Sequence, residues 1–502
     1  MRSMEAVFPG SQVDPDDPRY ATLVRGFNQR FVGEPKYVQV CGDTTQVVQA
    51  VQRAVDAGLR ITVRGGGHCY EGFVSCNDGG VILDLSPLNS VYYDSTADRF
   101  CVEGGCTLWN VYSQLYKEYG RTLPGGSCYS VGAGGHIIGG GYGLLSRKHG
   151  LIVDHLQAVE VVYVTKDRVA KVIEVRADSP TAEERDLFWA HQGGGGGNFG
   201  IVTKYWFKDP PRAPSAAYLA SVAWDWDSMT YELFEELVRN YGSFLQKNSA
   251  PGSPYQDLFT LLHLTRKEAS QIVLTIQTVS DQPDLLQSAI AEIKPVSLTL
   301  SPQRVPVGYH HYVPHVALNE SGTASGRWMP WLEATQTLNS SGPNQRGKYK
   351  SAYMLQPFPQ NQIETIWHFL TEPGYCNPQA LLQVDSYGCQ INTVAPDATP
   401  VPQRSSIMKL QYQTYWTDPG QDQEHLHWIR AFYTAMYGPK GPYPDAVMDG
   451  CYVNYPDVDL EDWPYLYYKD NYSRLQRTKA RWDALNIFHH QQSIRLPDEP
   501  AP

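Results

Sequence analysis

Four glycine-rich segments fall between residues 64 and 200: "RGGGHCYEG" from Arg64, "EGGC" from Glu103, "PGGSCYSVGAGGHIIGGGYG" from Pro124 and "HQGGGGGNFG" from His191. Glycine opens backbone conformations closed to other residues and lets a second group approach the main-chain amides, so repeated runs beside strands make a cradle for a ligand. "LRITVR" reads as a strand, which places His68, just after Gly67, at that ligand's edge. Gly195, Gly197 and Gly200 spell G-x-G-x-x-G, but a Rossmann site needs a strand before the glycines and a helix after them. Here "EERDLFWAHQ" reads as a helix and "IVTKYWF" as a strand, the reverse order. No G-x-x-x-x-G-K-[ST] occurs, so a P-loop is excluded as well. What survives is a dinucleotide such as FAD with its pyrophosphate cradled by backbone amides.

Residues 37–210 alternate strand and helix patterns. "TTQVVQAVQRAVDAG" puts Val47, Val48, Val51 and Val55 on one helical face and stops at Gly58. "GGVILDLS" and "RFCVEGG" read as strands, "TLWNVYSQLYKEYG" as a helix, and "LQAVEVVYVTKDRVAKVIEV" as two strands across a polar turn. Prolines in "KDPPRAPSA" mark a boundary near residue 210. From about 215 to 445, strands such as "SQIVLTIQTV" and "IMKLQYQTYW" mix with helices such as "DSMTYELFEELVRNYGSFL" and "DQEHLHWIRAFYTAMY", which suits an antiparallel sheet with helices on one side. The fold class is therefore α/β in the broad α+β sense. On two of these strands Gln383, Asp385 and Tyr387 alternate with Leu382, Val384 and Ser386, and Lys409, Gln411 and Gln413 alternate with Leu410 and Tyr412. Such a polar face is either turned to solvent or the floor of a polar cavity.

A length of 502 residues allows two or three domains and a large buried site. The net charge of −11, from 41 Lys+Arg against 52 Asp+Glu, supplies no basic footprint for nucleic acid and disfavours anionic membranes. No apolar run of about 18 residues could span a bilayer, and "MRSMEAVFPGSQVDPDD" lacks the apolar stretch of a signal peptide. A cytoplasmic location is the expectation. Nine cysteines without regular spacing suggest no disulfide framework. His310, His311, His315, His425 and His427 raise the question of a metal, but Pro314 breaks any helix aligning His311 with His315 and no carboxylate or cysteine sits at ligand spacing, so no metal is expected. A G-x-S-x-G nucleophile elbow is also absent.

The segments "VRGGGHCYEGF", "LPGGSCYSVGAGGHIIGGGYGLLSRKHG", "QGGGGGNFGIVT", "GCYVNYPDVDL" and "NIFHHQQSIRL", in this order and over nearly the whole chain, resemble the berberine-bridge-enzyme-like branch of the vanillyl-alcohol-oxidase flavoproteins. Within it the sequence is most similar to bacterial oxidases of antibiotic biosynthesis, especially hexose oxidases acting on a sugar of a glycopeptide antibiotic. The resemblance implies an FAD-binding domain over residues 1–210, a substrate domain over 211–445 and a segment, 446–502, that returns to the first domain. It implies FAD bonded covalently at its 8α-methyl to His68 and at C6 to Cys128, with Cys69 a small packed residue. Two tethers hold the ring without enclosing it, which leaves room for a bulky substrate. The cofactor cradle so implied comprises Arg64, Gly65, Gly66, Gly67, Gly126, Gly132, Gly135, His136, Gly141, Gly197, Asn198, Gly200, Ile201, Val202, Tyr452 and Asn454.

The same resemblance makes Tyr455 the base that removes a hydroxyl proton, with Lys409 and Gln411 lowering its pKa and orienting it. An unperturbed tyrosine titrates near 10, so a phenolate at neutral pH needs a nearby cation. Tyr142 matches a second active-site tyrosine. Gln383 falls where related enzymes vary, and Tyr353 and Tyr437 are candidate substrate walls. The expected reaction is oxidation of an alcohol or lactol of a sugar or glycosylated natural product, with hydride passing to flavin N5 and O2 reduced to H2O2, by a monomer or homodimer. Oxidation or oxidative cyclisation of a polyketide, tetramate or alkaloid is the alternative within the same chemistry, and a flavin-binding protein without turnover is the alternative outside it.

Overall fold

Three β-sheets organise the chain in the computed structural model, which describes residues 10–301, 326–338 and 345–497. In the first, Tyr37–Val40, Val81–Asp84 and Ile61–Arg64 lie side by side and parallel, with Gln12–Val13 antiparallel at one edge. The helix Thr44–Asp56 makes the crossover between the first two of these strands in the chain. It starts where the Asp43 carboxylate accepts the Gln46 amide and ends before Gly58, whose φ of 65° closes the turn. Its apolar face buries Val47, Ala50, Val51, Ala54 and Val55.

The second sheet is antiparallel, in the order Val91–Asp94, Arg99–Glu103, Ile201–Phe207, Leu156–Val164, Ala170–Arg176. The last glycine segment thus lies between the helix Ala182–Ala190 and the central strand Ile201–Phe207, the inverted order that ruled out a Rossmann site.

The third sheet has seven antiparallel strands in the order Arg327–Pro330, Ala216–Asp225, Gln271–Thr278, Leu258–Thr265, Leu381–Ser386, Met408–Trp416, Arg346–Met354. The helix Asp422–Tyr437 packs on the last two strands. Tyr412 points to this side, where its ring meets Phe432, Tyr433 and Tyr437 of that helix. Period 2 then sends Gln411 and Gln413 to the opposite face, where with Gln383 and Asp385 they line a cavity shared with the glycine segments. The polar face is therefore a cavity floor. Tyr387 departs from the alternation because the strand ends at Ser386; its ring packs against Tyr142 and Tyr353 outside the cavity lining.

The segment after residue 446 returns across the glycine-rich region. Asn454 donates to the His136 carbonyl at 2.9 Å, and the buried Lys479 ammonium donates to the carbonyls of Asn198 and Phe488 and to the Asp483 carboxylate, at 2.6–2.7 Å. Among the described residues, no helix is long and apolar enough to cross a membrane.

Candidate active site

The cavity is built where the glycine segments meet the floor of the seven-stranded sheet. A Cβ on Gly66 would lie 2.3 Å from the Gly132 amide nitrogen, so the first and third segments touch backbone to backbone and admit only glycine there. Gly197, at φ 72°, takes the left-handed conformation in the last segment. Elsewhere the cradle is open: a Cβ on Gly135 would meet no atom within 4 Å, and one on Gly196 only the Ile138 side chain at 3.7 Å. Backbone left bare on the side of a cavity suits a group that uses main-chain amides, as a dinucleotide pyrophosphate does. The residues present fit FAD.

Of the residues expected to form the cradle, Arg64, Gly65, Gly66, Gly67, Gly126, Gly132, Gly135, His136, Gly197, Asn198, Gly200, Ile201, Val202, Tyr452 and Asn454 all line this cavity. Gly141 does not: it is turned against Ile152, with φ 74°. The Arg64 guanidinium donates to the Leu23 carbonyl and pairs with Asp84 at 3.6 Å, which anchors the first glycine run. Burial pushes His136 down to about 4, so its ring is neutral, and Nε2 accepts the Gly126 amide at 3.1 Å.

His68 and Cys128 line the same cavity from different segments. The His68 ring stacks on Phe27 with centroids 4.5 Å apart, and its Nε2 lies 2.9 Å from Ser130 Oγ, two residues beyond Cys128. The segments bearing the two nucleophiles are thus joined directly.

Opposite them, the sheet pairs Asp385 with Lys409 and Gln383 with Gln411 across adjacent strands. Lys409 Nζ donates to Asp385 Oδ2 at 2.5 Å and to the Tyr455 hydroxyl oxygen at 3.0 Å. The ammonium also lies 4.4 Å from the Tyr455 ring centroid and 4.7 Å from that of Tyr142. Lys409 is wholly buried and lies behind the cavity wall that Tyr455 and Asp385 form. This arrangement limits how far Lys409 can lower the Tyr455 pKa. Its charge is matched by Asp385, and burial together with the Asp385 carboxylate holds the Tyr455 phenol well above its ordinary range.

Three other expectations also change. Gln411 donates to the Tyr70 hydroxyl at 3.1 Å and reaches Tyr455 only through the Tyr70 ring, 5.5 Å from that of Tyr455 between centroids. The Tyr142 hydroxyl donates to the Ser386 carbonyl at 2.5 Å, so its ring, more than its oxygen, is offered to the site. Tyr353 and Tyr437 lie outside the cavity lining: Tyr353 packs on Tyr387 and Tyr452, and the Tyr437 hydroxyl pairs with that of Tyr412 at 2.9 Å on the helix side of the sheet.

The sequence reading placed Asp385 and Gln413 on the polar face without a catalytic role and did not single out Tyr70 or His263. Gln383 Nε2 donates to Asp385 Oδ1 at 2.7 Å, Gln413 Nε2 donates to Gln411 Oε1 at 3.0 Å, and His263 Nε2 lies 3.3 Å from Gln383 Oε1. Behind the Tyr70 stack, the buried Lys348 ammonium contacts Glu71 at 2.5 Å and Asp457 at 2.6 Å, tying the His68 loop to the Tyr455 segment. The signal for Asp385 and Gln413 was the period-2 alternation; nothing in the sequence pointed to Lys348 meeting Glu71.

Among the described residues, no group of three or more His, Cys, Asp or Glu side chains could hold a metal ion. His425 is engaged with Tyr375 at 2.6 Å, whereas His310, His311 and His315 lie outside the described residues.

A family model described as an FAD binding domain matches residues 35–171, and one described as berberine and berberine like matches residues 451–495. An aclacinomycin-N/aclacinomycin-A oxidase of Streptomyces galilaeus is 40% identical over 515 residues, covering 97% of this chain and 90% of that protein. A hexose oxidase of Chondrus crispus is 39% identical over 523 residues, covering 96% and 94% respectively. The crystal structure of a glycopeptide hexose oxidase complexed with teicoplanin superimposes with a TM-score of 0.87 at 38% identity, covering 97% of this chain and 99% of that one.

Proposed function

Because the chain belongs to the berberine-bridge-enzyme-like family of FAD-linked oxidases, we propose that it oxidises an alcohol or lactol of a sugar borne on a natural product, using FAD bonded to both His68 and Cys128 and releasing H2O2 from O2. The observation that carries the reading is one cavity with two nucleophilic side chains on its glycine wall and a phenol backed by an ammonium on its floor. Residues 1–210 and 446–502 would hold the cofactor and 211–445 the substrate.

FAD, when bound, supplies the two-electron acceptor for the hydrogen leaving the carbinol carbon. The protein supplies the rest. Tyr455 Oη is the atom that takes the substrate's hydroxyl proton, and the hydrogen bond from Lys409 Nζ stabilises the phenolate form that can accept it. The side-chain amides of Gln383, Gln411 and Gln413 on the same floor both donate and accept, as a polyhydroxylated ring requires for orientation. The aromatic wall of half-buried Tyr70 and buried Tyr349 and Tyr415 borders these amides and offers flat apolar surface to a sugar ring or aglycone.

The test is H2O2 release by the holoenzyme with D-glucose, teicoplanin and aclacinomycin A as probes. The reading expects turnover with at least one, and a higher specificity constant for a glycosylated scaffold than for the free hexose. A fully bound flavin that none of the three reduces would end it.

A further inference from the structure

We infer that Asp385 is the proton store of this site: the hydroxyl proton taken at Tyr455 Oη is balanced by one that Lys409 Nζ passes to the Asp385 carboxylate. The inference rests on the proposed alcohol oxidation and adds where its proton goes.

Three atoms make the path, Tyr455 Oη, Lys409 Nζ at 3.0 Å and Asp385 Oδ2 at 2.5 Å from that nitrogen. The Lys409 and Asp385 side chains are 0% and 3% exposed, and the two residues are register partners on neighbouring strands. A tyrosine that already carries its proton cannot take another without giving one up. Lys409 is placed to receive it only after passing a proton of its own to Asp385. In the sequence, Lys409 gives a proton to Asp385, Tyr455 gives its proton to the resulting amine, and Tyr455 takes the hydroxyl proton of the substrate. The alcohol becomes a carbonyl as its carbinol hydrogen leaves with the electron pair for the bound FAD. Lys409 ends as ammonium, Tyr455 as phenol and Asp385 as carboxylic acid, one proton richer, so atoms and charge balance.

The surroundings hold the path in line. The Lys409–Asp385 ion pair is net neutral and buried, and Asp385 borders the cavity. Gln383 Nε2 holds the second oxygen, Oδ1, at 2.7 Å, so Oδ2 stays aimed at Lys409. The titratable groups facing the pair are Tyr142 and His136 from the glycine segment, Tyr241 from the helix Tyr231–Asn248, Tyr452 and Tyr455 from the returning segment, and Arg147. His263, on the neighbouring strand, reaches Asp385 through Gln383. Burial keeps the two histidines neutral at pH 7. Arg147 is committed to the carbonyls of Tyr387 and Asn248. Lys409 is thus the ammonium bonded directly to both groups.

The experiment is anaerobic stopped-flow reduction of the covalently loaded enzyme by D-glucose, teicoplanin and aclacinomycin A, for wild type, Asp385→Asn and Asp385→Glu, from pH 6 to 9. The inference expects Asp385→Asn to slow reduction by about 10²- to 10⁴-fold at every pH, the range of general-base contributions, and Asp385→Glu to restore most of the loss. If Asp385 merely offsets the Lys409 charge, Asp385→Asn releases that cation onto Tyr455. Reduction would then be as fast as wild type or faster at pH 7, with its basic limb moved to lower pH, and the inference would be overturned while the oxidase reading stands. Failure of all three probes with the wild type would instead overturn the oxidase reading and this inference with it. Should Asp385→Asn not fold, infrared difference spectra of the wild type reduced anaerobically with product bound decide the matter. A carboxylic-acid carbonyl band that shifts in D2O is expected, and its absence overturns the inference.

Discussion

Lys409 and Asp385 face each other across two adjacent strands with Nζ and Oδ2 2.5 Å apart, and both are buried. Breaking a buried pair strands a charge, which typically costs about 3–5 kcal/mol, while removing both partners can be nearly neutral. Lys409→Met and Asp385→Asn should therefore each lower the urea midpoint, and the double variant should be more stable than Lys409→Met alone. Additive losses in the double variant would show that the pair is not coupled.

The two proposed tethers predict a pattern of flavin retention. After acid precipitation, His68→Ala and Cys128→Ala should each keep FAD in the pellet, and the double variant should release it to the supernatant. Full release by either single variant would reduce the linkage to the one residue replaced.

Tyr142→Phe separates ring from hydroxyl. The Tyr142 hydroxyl bonds the Ser386 carbonyl, so its loss should cost about 0.5–1.5 kcal/mol of stability and leave flavin reduction near wild type, because the ring against Lys409 remains. A rate loss as large as that of Tyr455→Phe would give the Tyr142 oxygen a part in proton transfer.

Acid should loosen the cavity. Burial lowers His136, His263 and His490 to about 4 from an ordinary value of 6.5. Below pH 6.5 the unfolded chain therefore binds protons that the folded chain refuses. The stability these groups contribute is fully present above pH 6.5 and falls as pH drops toward 4, by up to about 1.4 kcal/mol per pH unit for each histidine. Urea midpoints measured from pH 7 to 4.5 should fall steadily. A flat profile would place these rings in contact with water.

The helix Thr44–Asp56, the paired strands Leu156–Val164 and Ala170–Arg176, and the inverted order around Gly195–Gly200 were legible because each rests on local periodicity or on neighbours in the chain. The polar alternation at Gln383 and Lys409 was legible too, but not its meaning, since a strand cannot say what covers its faces. Lys409 was recognised as a cation near Tyr455 while its partner was missed. Asp385 reaches it only by strand pairing across 24 positions of sequence, and burial with that carboxylate nearby leaves the phenol above its ordinary range. Tyr353 failed as a substrate wall for the same reason: its strand was anticipated by no pattern that fixed which side it turned to the cavity.

The most direct test of the account replaces one atom. Tyr455→Phe keeps the ring packed against Tyr452 and Tyr70 and removes the oxygen bonded to Lys409. Anaerobic flavin reduction by the best of the three probes should slow by about 10²- to 10⁴-fold, with FAD still covalently attached and the fold intact. Reduction at the wild-type rate would contradict the assignment of Tyr455 as the residue that takes the substrate's proton.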